Sequence, residues 1–224
     1  MAVAYQSVAE AASFVVATSI TIDKPSGLSG EDIMVAYLTG GNQYNVPAGW
    51  TSQGFQFADS ALSDTFTKIA DAADVAASNF TFSSGVSNSK GGFIVRVSGG
   101  AHSLIQLASD TRTNSNTSPY NFPGLTPNFA NSLFLMLAVE NGTGGVPDFS
   151  GYAITTDNPT WTERVALNDG ANQGMTVATA TRSGIDATGT AAISITNLTT
   201  SSDVVIRILV IPPGTSFIPK TIMF

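Results

Sequence analysis

Reactive side chains are scarce in this 224-residue chain, and the acids are the first to consider. They come close in sequence at three places: Asp71 with Asp74, Asp157 with Glu163, and Asp23 with Glu31 and Asp32. Two carboxylates held in different environments are what a glycosidase needs, and clustered loop acids are how Ca²⁺ is gripped. No D-x-[DN]-x-[DN]-G loop accompanies them, so solvated loop acids are the plainer reading. His102 is the single histidine. It cannot by itself build a two- or three-histidine zinc site, and a Ser-His-Asp triad would depend on it alone. With no cysteine, thiolate catalysis and disulfides are excluded. Nucleophile-elbow and P-loop patterns are missing as well. No catalytic residue, metal site or cofactor is expected, and the chain reads as a non-enzyme.

Two further residue sets could recognise something. Tyr44, Tyr120, Phe122, Phe149 and Tyr152 fall in segments rich in Gly, Pro and Asn, which read as loops. Aromatic faces on loops stack on sugar rings or anchor protein interfaces. Four Asn-x-Ser/Thr sequons, at Asn79, Asn116, Asn141 and Asn197, are set down to the abundance of Asn and Thr. Charge excludes another class of partner. The formal net charge is −7 with nine scattered Lys and Arg, so nucleic acid is not an expected ligand.

The elements that must position these residues are strands. "SITID", "DIMVAYLTG", "GFQF", "TFTKIA", "NFTFSS" and "GGFIVRVSGG" fill the first half; "SLFLMLAVENG", "WTERVAL", "MTVATATRSG", "AAISITN" and "DVVIRILVIPP" fill the second. Period-two alternation at Ile20/Ile22, Phe80/Phe82 and Ile193/Ile195 marks half-buried strands, while Leu133–Val139 and Val204–Ile211 are apolar throughout and predict burial on both faces. "PSGLSG", "GGN", "NGTGG", "NDG" and "RSG" supply turns. Only "ADAADVAAS" suggests a helical turn. An all-β, jelly-roll-like antiparallel sandwich is expected.

The two tryptophans, Trp50 and Trp161, share neighbours: each follows a proline closely and precedes a threonine, 111 residues apart. At the same offset "FIVRV" overlies "VVIRI", which equates Arg96 with Arg207, and "TFTKIAD" overlies "TVATATR". "DIMVAYL" and "SLFLMLA" match at an offset of 100. The expectation is one sandwich over residues 1–212 built from two related halves, about 1–101 and 102–212. Residues 213–224 form an extended apolar arm whose Phe217, Ile218, Ile222, Met223 and Phe224 are candidate partner-binding residues. The start has no positively charged n-region and the chain no 18-residue apolar run, so neither a signal peptide nor a membrane span is expected.

Lys24-Pro25-Ser26-Gly27, then Gly30 and Asp32, the apolar run Ile33–Leu38 and the turn Pro47-Ala-Gly49-Trp50-Thr51 form an ordered series. With the later "GGFIVRVSG", "NSLFLMLAV", "WTERV" and "ATGTAAISI", it resembles structural proteins of tailed bacteriophages across roughly residues 5 to 212. Glu31, between the usual glycine and aspartate, departs from the pattern, and the terminal arm has no counterpart in it. The resemblance implies a sandwich displayed on a virion, made in the host cytoplasm, that decorates or cements the capsid. Its partners would be the major capsid protein or other virion proteins, with homo-oligomers allowed. The other reading is a tail-fibre or surface-adhesin module binding host glycan through the loop aromatics. Trp50, Trp161, Pro47 and Gly49 are assigned structural roles.

Overall fold

In a computed structural model the described residues are 2–11, 14–113, 116–156, 158–187, 189–196, 198 and 201–214. The chain is all-β and antiparallel. Its first half supplies β1 (Ala4–Glu10), β2 (Val15–Asp23), β3 (Ile33–Thr39), β4 (Thr51–Ala58), β5 (Ala61–Ile69), the short helix α1 (Ala72–Ala76) and the long β6 (Asn79–Ser98). After a 3₁₀ turn at His102–Leu104 come β7 (Gln106–Arg112), β8 (Tyr120–Pro123), β9 (Ser132–Asn141), β10 (Phe149–Ile154), β11 (Thr162–Asn168), β12 (Gln173–Arg182), β13 (Thr190–Ile195) and β14 (Asp203–Ile211).

Two sheets face each other across a shared core. One runs β1-β6-β3-β5-β4 and the other β7-β14-β9-β12-β11, so strands of corresponding rank follow the same path in each half. Odd-numbered residues of β3 and the end of β6 (Val35, Tyr37, Phe93, Val95) meet those of β9, β12 and β14 (Leu135, Leu137, Val177, Leu209) in this central layer. The outer face of each sheet is covered in turn. Ile20, Ile22, Phe80 and Phe82, from β2 and the start of β6, pack on Met34, Ala36, Leu38 and Phe66. The small sheet β10-β13-β8 packs Tyr120, Phe122, Phe149 and Ile193 on Phe134, Met136, Ile206 and Ile208. The central strands β3, β9 and β14 are therefore buried on both faces, as their continuous apolar runs require.

This arrangement differs from a jelly roll. There the chain alternates between facing sheets, whereas here β3, β4, β5 and the end of β6 share one sheet and β9, β11, β12 and β14 share the other. The long β6 crosses between layers: its first part pairs with β2 and its last part with β1 and β3. Gly92 makes the crossing tight, because a Cβ there would sit 2.6 Å from Leu38 Cδ2.

Strand registers correct part of the sequence alignment. Ile33 lies opposite Val97 and Ile69, while Leu133 lies opposite Ile211 and Thr181. With Ile33 and Leu133 equated, Val97 corresponds to Ile211 and Ile69 to Thr181. Arg96 and Arg207 are not equivalent. Arg96 shares its face with Ile94 and the first outer layer, while Arg207 shares its face with Val205 and Leu209 in the central layer. An odd slip in register flips every side chain to the other face, and apolar strands of similar composition match at many shifts. The tryptophans do correspond: Thr51 pairs with Thr67 just after Trp50, and Thr162 pairs with Thr179 just after Trp161.

Candidate functional site

The carboxylates of Asp32, Asp71, Asp74 and Glu163 are engaged within the fold, while Asp23 lies exposed at the end of β2. Asp71 caps α1, accepting from the Ala73 and Asp74 amides, and Asp74 returns the favour to the Asp71 amide. Lys68 Nζ closes on Asp74 at 2.7 Å. Asp32 accepts from Arg96 Nε at 2.6 Å and from the Ser29 amide at 2.8 Å. Glu31 stands in the left-handed region at φ 71°, and its amide donates to Ala70 O. Glu163 accepts from Tyr152 Oη, and its sequence partner Asp157 lies outside the described residues. Among the described residues no three acids or histidines gather in a way that would hold a metal ion.

The loop-aromatic reading is overturned. Tyr44, Tyr120, Phe122 and Phe149 are 2–4% exposed, and Tyr152 is half-buried. Tyr120 and Phe122 belong to β8 and Phe149 and Tyr152 to β10, so period-two strand packing claims the faces that would have stacked on a sugar. Tyr44 does sit in a loop, but its hydroxyl donates to Thr39 O and its amide to Asp64 Oδ2. The tryptophans pack against neighbouring aromatic rings. Trp50 packs edge-on against Phe80 and Phe82, held by the turn in which its amide donates to Pro47 O and Gly49 takes φ 78°. Trp161 lies against Tyr152 and donates from Nε1 to Asn158 Oδ1. The candidate arm residues Phe217, Ile218, Ile222, Met223 and Phe224 lie outside the described residues. The arm's described root is held against the linker between halves, where Ala101 donates to Pro212 O and Gly100 bridges Pro213.

Three buried groups escaped the sequence reading. Arg207 reaches from β14 across the central layer and donates to Gly54 O (2.7 Å), Thr65 Oγ1 (3.0 Å) and Ser63 O (3.1 Å). An arginine in an apolar run gives no sequence signal of which face it takes. Glu140, at the end of β9, is 1% exposed. Burial, with Asp169 and Asp203 adding negative charge nearby, lifts its carboxyl to about 7 against a hydrogen bond from Ser202 that opposes the rise. Asp64 is likewise pushed to about 6 by burial.

The arrangement with most recognition chemistry sits where the edges of the facing sheets meet. Both edge strands β4 and β11 carry a bulge, at Ser52–Phe55 and at Glu163–Val165. Bulges re-aim side chains. From the first, Gln53 Nε2 donates to Thr67 Oγ1 at 2.9 Å; from the second, Arg164 Nε donates to Thr179 Oγ1 at 2.7 Å. These are corresponding positions. Around Thr67, His102 Nε2 also closes to 2.9 Å, and burial lowers the pKa of this imidazole. Around Thr179 the neighbour is instead Tyr5 of β1, whose ring centroid lies 4.1 Å from Arg164 Cζ. A cleft of about 520 Å³ opens there, lined by Tyr5, Arg164, Thr160, Thr162, Thr179 and Thr181. Compared with known proteins, the chain has no matching family model, no matching curated protein and no matching solved structure.

Proposed function

We propose that this protein is a non-enzymatic structural component of a tailed-bacteriophage virion that attaches to the capsid shell by burying surface against it. The resemblance of the Lys24–Thr51 series to phage structural proteins supports this reading. The observation that carries it is the character of edge strand β4. Phe55 and Phe57, two residues apart on one face, are 40% and 52% exposed, while many of the chain's charged groups are tied up internally. A rigid scaffold with apolar side chains on a free edge is suited to adhesion. Each copy needs only modest affinity when a lattice repeats the contact many times. The same strand order in the two facing sheets favours derivation of the chain by duplication of one half.

Imaging intact virions with and without the chain tests this. Surface density that disappears from the shell on deletion, and returns with the purified chain, is the expected result. A shell unchanged by deletion would sink the reading.

A further inference from the structure

We infer that the cleft between β1 and β11 is a receptor for a carboxylate, presented by an aspartate or glutamate side chain of the protein partner. The identity of that partner rests on the attachment reading above; the chemistry of the cleft does not. Arg164 stands at the bulge of β11, outside the ladder, because Glu163 pairs with Ala178 and Val165 with Val177. Its guanidinium is pinned at two points, by Nε to Thr179 and by its face over Tyr5. The ring contact and one hydrogen bond hold the guanidinium in place and leave Nη1 and Nη2 without a hydrogen-bond partner among the described residues. Two parallel N–H groups in a fixed plane match a carboxylate, and a charge-assisted pair is stronger than a neutral one.

Other arginines are engaged differently: Arg96 is neutralised by Asp32, Arg112 by Asp110, and Arg207 is fully buried. The neighbouring acid Glu163 is held by Tyr152 Oη. Thr160, Thr162 and Thr181 line the same space, and a threonine hydroxyl can donate. The corresponding place in the first half lacks this chemistry. Its bulge residue is the neutral Gln53, and His102 occupies the Thr67 hydroxyl. One scaffold thus presents a charged fork at one edge and a filled, neutral one at the other. On a chain of net charge −7, such a local cation is where an acid must land.

The test titrates the full isotopically labelled chain with N-acetylglutamate N-methylamide, and in parallel with the glutamine analogue, following the Arg164 Nε–Hε signal by NMR. The acid is expected to shift it saturably, with Kd on the order of 10 mM for a single charge-assisted contact, while the amide does not. Added salt weakens the response. Followed instead at the backbone amides of Thr162, Thr179 and Thr181, the response to the acid is lost in R164Q and weaker in R164K. Equal responses to acid and amide, no response to either, or a saturable response persisting at Thr162 and Thr181 in R164Q would overturn the assignment. If R164Q fails to fold, the acid-against-amide comparison on the unaltered chain still decides. The titration needs no virion, so its failure leaves the attachment reading standing, and failure of attachment leaves a measured carboxylate site. Binding of R164Q to virions, expected to fall at least several-fold, tests the partner; unchanged occupancy would overturn the protein-side-chain source.

Discussion

Glu140 ties the stability of this protein to pH in a definite direction. Its carboxyl is raised from 4.5 to about 7, so between those values the folded state keeps a proton that the unfolded state has lost. Stability is fully present below about 4.5 and falls as pH rises through about 7, by an amount on the order of 3 kcal/mol. Asp64, raised from 3.8 to about 6, acts in the same direction in its own lower window. Glu140→Gln should therefore flatten the decline and stabilise the chain at pH 8, read from urea midpoints at several pH values. A variant whose profile matches the parent's would refute this. The tryptophans differ in the same currency. Trp50, 8% exposed and wedged between two phenylalanines, should cost about 3–5 kcal/mol when cut to alanine. Trp161, only half-buried at the corresponding place, should cost clearly less by thermal or chemical unfolding.

At the scale of elements, β14 and β4 carry opposite duties. β14 is buried along its whole length and sends Arg207 into the other sheet. Arg207→Leu removes the guanidinium donors to Gly54 O, Ser63 O and Thr65 Oγ1. Leaving these buried acceptors short of a donor costs about 1–3 kcal/mol, visible as a lowered denaturant midpoint. β4 is an edge, and its Phe55 and Phe57 contribute little to the core. Changing both to serine should leave the melting temperature within a few degrees. The same change should weaken attachment to virions severalfold in co-sedimentation. Full attachment by the double variant would remove β4 as the adhesive edge.

Across the whole molecule, the central layer makes the halves interdependent. Each half has an outer core of its own, but Val35, Tyr37 and Val95 on one side meet Leu135, Val177 and Leu209 on the other. A fragment ending at Ala101 would expose that apolar face, so it should self-associate or bind a hydrophobic dye while the full chain does not. Light scattering on the fragment checks this, and a monomeric, dye-free fragment would contradict it. Removing residues 213–224 should leave the sheets folded but weaken virion attachment; normal occupancy by the truncated chain would dismiss the arm as the contact.

Many of the strands were legible in the residues themselves, though β1, β8 and β10, short or rich in Gly, Asn and Ser, were not. Alternation at Ile20/Ile22 or Phe80/Phe82 and unbroken apolar runs such as Leu133–Val139 report burial one strand at a time, because each side chain's solvent exposure follows from its own strand's two faces. The tryptophan pair was legible for the same local reason: a turn, a large ring and the start of an edge strand are contiguous in sequence. What the sequence left undecided was everything that depends on which strand lies beside which. Arg96 and Arg207 read alike, yet one faces an outer layer and the other the central one, because face is set by register and register by pairing partners far away in the chain. The sugar-stacking aromatics vanished into cores because β8 and β10 are strands that pair with β13, a partnership their Gly- and Asn-rich sequence does not announce. Arg164 became a candidate only when β1 brought Tyr5 over it and the opposite edge showed Gln53 and His102 in its place, a comparison that exists only in three dimensions.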